Sequence, residues 1–102
     1  MNQPLEVQTG PIEGPLMIRP RQFFDDRGRF SETWRAAHFQ EALGAPVQFV
    51  QDNESVSGAA VLRGLHFQVP ERAQGKLVRV VKGRAVDVAV DLRSESPTYG
   101  RH

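Results

Sequence analysis

A chain of 102 residues with 13 Lys plus Arg, 12 Asp plus Glu, 7 Pro and no Cys is the size of one modest domain. A net charge of +1 with both signs interspersed leaves no electrostatic footprint for nucleic acid or a membrane surface, and zero Cys excludes disulfides, a thiolate nucleophile, zinc ribbons and iron–sulfur clusters. With 39% hydrophobic residues, a domain this small buries only about two-thirds of its unfolded surface, so a partner subunit is expected.

No window approaches the ~18 apolar residues of a spanning helix, and the polar opening Met1 to Glu6 has neither the basic start nor the apolar stretch of a signal peptide, so the cytoplasm is the expected location. Gly and Pro punctuate short segments rich in Val and Phe, which predicts a mainly antiparallel β domain. In chain order, Leu16 to Phe24 and Arg29 to Trp34 read as strands joined by a tight turn at Asp26-Arg27-Gly28. Arg35 to Leu43 reads as one short helix, a surface lid, stopped by Gly44 and Pro46. Val47 to Asn53, Val61 to Gln68, Lys76 to Lys82 and Arg84 to Leu92 read as further strands, the last two joined by a turn at Lys82-Gly83-Arg84. In the last, Val86, Val88, Val90 and Leu92 share one face and Asp87, Ala89 and Asp91 the other. Solvent exposure is the general expectation for that polar face, and a wet barrel cavity is the alternative. Ser94 to His102 is turn-rich, and the strand candidates fall short of the roughly eight of a closed jelly roll.

The chemistry-bearing residues concentrate in Gln51-Asp52-Asn53, in Val61 to Gln68 and in Gln74 to Val80. A lone His in an apolar strand is more often a satisfied core residue than a catalyst. Here, period-two alternation puts His66 with Gln68 on one face, Gln51 with Asn53 on another, and Lys76 with Val78 on a third. If these faces converge, they form a polar pocket holding a base, a cation and amide hydrogen-bonders. Arg63 falls on the opposite face from His66 and reaches the same pocket only if the strand bulges, which Gly64 permits. Arg79 and Arg93 read as residues of a solvated sheet face.

The segments Asp26-Arg27-Gly28-Arg29-Phe30-Ser31-Glu32, Phe49-Val50-Gln51-Asp52-Asn53, Leu62-Arg63-Gly64-Leu65-His66-Phe67-Gln68, Gln74-Gly75-Lys76-Leu77-Val78 and Asp87-Val88-Ala89-Val90-Asp91-Leu92-Arg93 resemble, in the same order, the dTDP-4-dehydrorhamnose 3,5-epimerases. The resemblance runs from about Pro15 to the last residue and covers the N-terminal part of that family's domain. It implies an all-β, cupin-type jelly-roll barrel, incomplete here, with residues 1–102 as a single domain. It also implies a homodimer without metal or cofactor, acting on a dTDP-sugar in the bacterial route to dTDP-L-rhamnose, with no nucleic-acid or membrane partner. By the same resemblance His66 is the general base, Lys76 the cation beside the sugar carbonyl, and Arg63 a ligand of the pyrophosphate or sugar. Arg27, Phe30 and Glu32 correspond to nucleotide-side contacts, and Gln51, Asp52 and Asn53 to a substrate-contacting trio. Asp87 lies in a matching motif with its role open between orienting a neighbour and structure.

These residue types suit the implied reaction. Epimerisation next to a ketone removes a weakly acidic C–H proton, and His titrates near neutrality. The developing enolate needs positive charge at its oxygen, and the planar fork of Arg matches phosphate. Phe30 suits stacking on a base, although an aromatic in a strand is more often core. Inversion also needs an acid on the opposite face, for which the family uses a Tyr of its later half, together with an Asp paired to the base. The only Tyr here, Tyr99 in Ser96-Pro97-Thr98-Tyr99-Gly100, does not match that position, so the expectation is a half-site that does not turn over by itself. A metal-dependent cupin is disfavoured because His66-Phe67-Gln68 stands in place of His-x-His, and Lys76 where a carboxylate ligand would be wanted. The remaining alternative is a truncated, non-catalytic sugar-nucleotide-binding or dimerisation module.

Overall fold

The computed structural model describes residues 3–102. They form two compact units: one takes the residues up to Val50 together with Val88–His102, and the other takes Gln51–Asp87.

The first unit holds all the described strands, in two antiparallel hairpins, and the one α-helix. Strand β1 (Leu5–Thr9) pairs with β2 (Leu16–Pro20) in the register Leu5 to Pro20, Val7 to Ile18 and Thr9 to Leu16. Alternation along β2 turns Leu16, Ile18 and Pro20 to the more buried side. The sequence pattern predicts no strand over β1, where Leu5 is buried and Val7 exposed. The strand expected over Leu16 to Phe24 is broken at Arg21, where the chain changes partner. The Arg21 N–H still donates to Pro4 O at 3.0 Å, while its carbonyl accepts the Ser31 hydroxyl at 2.8 Å. Pro20 has no N–H to contribute to a ladder, which makes this the natural break. Strand β3 (Gln22–Asp25) then pairs with β4 (Gly28–Ser31), Asp25 opposite Gly28, so the tight turn expected at Asp26-Arg27-Gly28 is a two-residue loop with Gly28 already in the ladder. Gly28 has φ 136°, a region that side-chain-bearing residues avoid, and Asp25 Oδ1 fastens the loop by accepting the Arg27 N–H at 2.8 Å.

Helix α1 (Ala36–Leu43) matches its expected span within one residue. Gly44 ends it in the left-handed conformation (φ 74°), with its N–H on Gln40 O at 2.9 Å. The helix is a packing element as well as a surface one. Phe39 is buried, α1 lies against β1, and Trp34 stacks on Phe39 (centroids 4.4 Å apart) and meets Phe49 edge-on at 5.3 Å. Among the described residues the buried apolar ones are Leu5, Ile12 and Phe39.

The second unit contains a single turn of 3-10 helix, Pro70–Arg72, and its residues are exposed. The strands expected over Val47 to Asn53, Val61 to Gln68, Lys76 to Lys82 and Arg84 to Leu92 are absent from the described residues. Each segment has strand composition, but a strand exists only through the ladder it makes, and among the described residues none of them finds a partner strand. Gly83 does sit at a bend with positive φ (98°), as expected of its turn, without strands on either side. Within the described residues the regular structure is therefore mostly strand with one short helix, and no helix is long and apolar enough to cross a membrane.

Candidate functional site

Three candidate residues stand on or beside the β3–β4 hairpin. The Arg27 guanidinium pairs with the Asp25 carboxylate. This pairing lowers the Asp25 pKa, through the side-chain hydrogen bond first and the Arg27 backbone N–H second. Phe30 lies across the ladder from Phe23, whose ring carries the Arg21 guanidinium 4.7 Å above its centroid. Phe30 is exposed rather than part of the core favoured on general grounds for a strand aromatic. Glu32 follows β4, and both of its oxygens are held. Arg35 Nε donates to Oε1 at 2.8 Å and Nη2 to Oε2 at 2.9 Å, while His38 Nδ1 stands 3.6 Å from Oε1. The Arg35 hydrogen bonds are the main cause of a lowered Glu32 pKa.

The other candidates, Gln51, Asp52, Asn53, Arg63, His66 and Lys76, belong to the second unit and are exposed there. Gly64 has φ 112°, so the chain between Arg63 and His66 turns through a conformation that favours glycine, in a segment that is not a strand and so has no ladder to bulge. A Cβ on Gly64 would lie 3.4 Å from His66 Nδ1, which makes this glycine the immediate neighbour of the imidazole. Arg63 Nε donates to Ser57 Oγ at 2.9 Å. Gln68 Oε1 accepts the Gln74 N–H at 3.0 Å and closes the loop around Pro70–Arg72, tying together the segments that carry His66 and Lys76. Among the described residues, no hydrogen bond or ion pair joins Arg63, His66 and Lys76 to one another.

Among the described residues the most completely hydrogen-bonded carboxylate is that of Asp91, a residue for which alternation predicts solvent exposure. Asp91 is 3% exposed. Its Oδ1 accepts Arg93 N and Arg93 Nε, both at 3.0 Å, and its Oδ2 accepts Arg93 Nη2 at 3.0 Å, Thr98 Oγ1 at 2.7 Å and the Ser96 hydroxyl. Its backbone joins in: Asp91 N donates to Arg101 O at 2.9 Å and Gly100 N to Asp91 O at 2.8 Å. Arg93 also donates to Glu13 O, and Glu13 N donates to Thr98 Oγ1 at 3.0 Å, so the loop between β1 and β2 is fastened to the 94–100 turns. The expectation of a solvated face therefore needs correction for Asp91, which is buried, whereas Arg93 is exposed as expected but stands on no strand and has its fork engaged. Asp87 is exposed as expected. The available signal was local: an Asp two residues before an Arg, with Ser and Thr following in a turn-rich stretch.

A family model described as dTDP-4-dehydrorhamnose 3,5-epimerase matches residues 9–102. The chain is 57% identical over 89 residues to a dTDP-4-dehydrorhamnose 3,5-epimerase of Methanothermobacter thermautotrophicus, covering 87% of this chain and 47% of that protein. It is 54% identical over 97 residues to that of Shigella flexneri (95% and 54% covered) and 56% identical over 90 residues to that of Pseudomonas aeruginosa (88% and 49% covered). No solved structure matches. The chain spans about half the length of these curated relatives, and over nearly all of its own length it belongs to the dTDP-4-dehydrorhamnose 3,5-epimerase family.

Proposed function

We propose that this chain forms the N-terminal part of a cupin-type jelly roll and supplies the base side of a dTDP-4-dehydrorhamnose 3,5-epimerase site. The observation that carries the proposal is the match of the family model across residues 9–102, which includes every candidate site residue. In this reading His66 removes the proton from the carbon beside the 4-keto group of dTDP-4-dehydro-6-deoxy-D-glucose. The C–H electron pair moves into the ring C–C bond and the carbonyl oxygen takes the negative charge, next to the Lys76 ammonium. Reprotonation on the opposite face completes each inversion and gives dTDP-4-dehydro-L-rhamnose. Arg63 holds pyrophosphate or sugar, Gln51, Asp52 and Asn53 contact the substrate, and Arg27, Phe30 and Glu32 contact the nucleotide. No step needs a metal or cofactor: Lys76 brings the positive charge that a metal would otherwise supply.

The experiment follows solvent deuterium into the sugar in a chain extended to the length of its relatives. His66→Asn is expected to abolish exchange at the carbon next to the carbonyl, and unchanged exchange would end the assignment. In the same assay the 102-residue chain is expected not to turn over, because Tyr99 does not match the family's acid. Loss of a general acid typically costs about 10²- to 10⁴-fold. Equal turnover by the short and extended chains would overturn this expectation.

The reading includes a homodimer in which N-terminal strands pair across the two copies. Its support is the two-stranded sheets, whose outer edges carry no further strand among the described residues, and the exposed Met17, Phe24 and Phe30 beside them. Sedimentation should give twice the chain mass, and a well-folded monomer would contradict it.

A further inference from the structure

We propose that Arg35 and His38, the residues with which helix α1 begins and faces Glu32, are positioning residues that hold the Glu32 carboxylate as a fixed acceptor for a hydrogen-bond donor of the nucleotide. The inference rests on the reading of Glu32 as a nucleotide contact and assigns the device that makes it one.

The local chain explains the geometry. Arg35 is the residue from which α1 starts: it is still extended (φ −145°, ψ 121°), and its carbonyl accepts the first helical N–H, from Phe39 at 3.1 Å. Phe39 is buried, and its ring packs against Trp34, the residue before Arg35. The backbone under the guanidinium is thereby anchored from both sides. Three residues earlier, Glu32 meets that guanidinium with both oxygens in a two-point contact, and His38, one turn into the helix and half-buried, approaches Oε1.

A carboxylate offers about four acceptor positions. Arg35 uses one on each oxygen, and His38 crowds a second on Oε1, which leaves the free position on Oε2. What remains is a single negatively charged acceptor in a fixed direction. It takes one N–H or O–H from a ligand and repels a phosphate. A free Glu at the end of a strand would instead sample several rotamers and lose that freedom on binding. The Arg35 side chain makes no capping hydrogen bond to its own helix, so its fork serves Glu32 and not the start of α1.

The test uses dTDP as the probe, titrated calorimetrically into the 102-residue chain and its variants Glu32→Gln, Arg35→Met, Arg35→Lys and the double variant Glu32→Gln/Arg35→Met. The single variants Glu32→Gln and Arg35→Met are each expected to weaken dTDP binding about five- to tenfold, with the double variant no weaker than Glu32→Gln alone. Arg35→Lys, which keeps the charge and loses the fork, falls between wild type and Arg35→Met. The charged groups facing Glu32 are Arg35 and His38, and Arg35 is the main cause of its lowered pKa. Without Arg35, Glu32 takes up its proton at higher pH, so the acid-side loss of affinity in Arg35→Met should begin at higher pH than in wild type. A merely structural role for Arg35 would not move that limb. Wild-type affinity in Arg35→Met alongside weakened Glu32→Gln would overturn the inference and spare the reading of Glu32. Additive losses in the double variant would also overturn it, by showing that Arg35 acts on the ligand directly. Unchanged binding in Glu32→Gln, or none in wild type, would remove the reading of Glu32 and the inference with it.

Discussion

Asp91 and Arg93 meet through two parallel hydrogen bonds, Nε on Oδ1 and Nη2 on Oδ2, each 3.0 Å long, with the carboxylate buried and the rest of the guanidinium side chain partly in water. The pair lies two residues apart in sequence, yet it closes a contact between the 94–100 turns and Glu13, 80 residues earlier. Burial opposes the charge on Asp91. Donors from Arg93, Ser96 and Thr98 outweigh it and hold the carboxyl far below the ordinary value of 3.8.

That balance sets a pH dependence. A carboxyl whose pKa is lower folded than unfolded stabilises the fold above its unfolded pKa, near 3.8, and this contribution is lost as pH falls toward the folded value. Urea unfolding in the acid range should show stability falling with pH in wild type. Asp91→Asn should be less stable near neutrality and should show a shallower slope, the remainder coming from Asp25 and Glu32, because an amide has no such proton to bind. An undiminished acid slope in Asp91→Asn would assign it wholly to other carboxyls.

Phe39 packs on Trp34 from helix α1, which lies against β1, and is one of the few buried side chains among the described residues. Phe39→Ala is expected to cost about 3–5 kcal/mol, comparable with the whole stability of a small domain, so circular dichroism should report loss of the helix and of cooperative unfolding. Leu43→Ala, at a half-exposed position on the same helix, should cost clearly less.

Gly64 is the glycine whose conformation bears on the candidate base. Its φ of 112° strains any side-chain-bearing replacement, while the space beside it would take a Cβ at ordinary contact with His66 Nδ1. Gly64→Ala should therefore cost about 1–3 kcal/mol through the backbone alone and displace the imidazole. The His66 ring resonances should shift relative to those of His38, and unshifted His66 resonances would show that the turn tolerates the change.

Chelation bears on Lys76. If the ammonium occupies the place of a metal's charge, treating the extended enzyme with a strong chelator should leave deuterium exchange unchanged, and Lys76→Ala should reduce it by about 10²-fold or more. Activity lost on chelation and restored by one added transition metal would overturn that role.

Local chemistry was legible in the sequence wherever neighbours along the chain decide the outcome. Asp26-Arg27-Gly28 gave a two-residue hairpin because Gly28 alone accepts its φ and Asp25 can reach the Arg27 N–H. Gly44 ended α1 for the same kind of reason. The motifs around Arg63, His66 and Lys76 pointed to the family whose model matches the chain, since a motif is itself local information. Tertiary structure decided the rest. Whether Val61 to Gln68 or Arg84 to Leu92 becomes a strand depends on a partner that alternation along one segment cannot name, and no ladder forms there. Whether Leu16 to Phe24 is one strand or two depended on a change of partner at Arg21. Asp91 looked solvated because alternation sorts residues by face and says nothing of what folds over a face. The donors that make its burial tolerable arrive from Arg93, Ser96 and Thr98, all beyond the segment, and Glu13, which binds Arg93 and Thr98, comes from the other end of the chain.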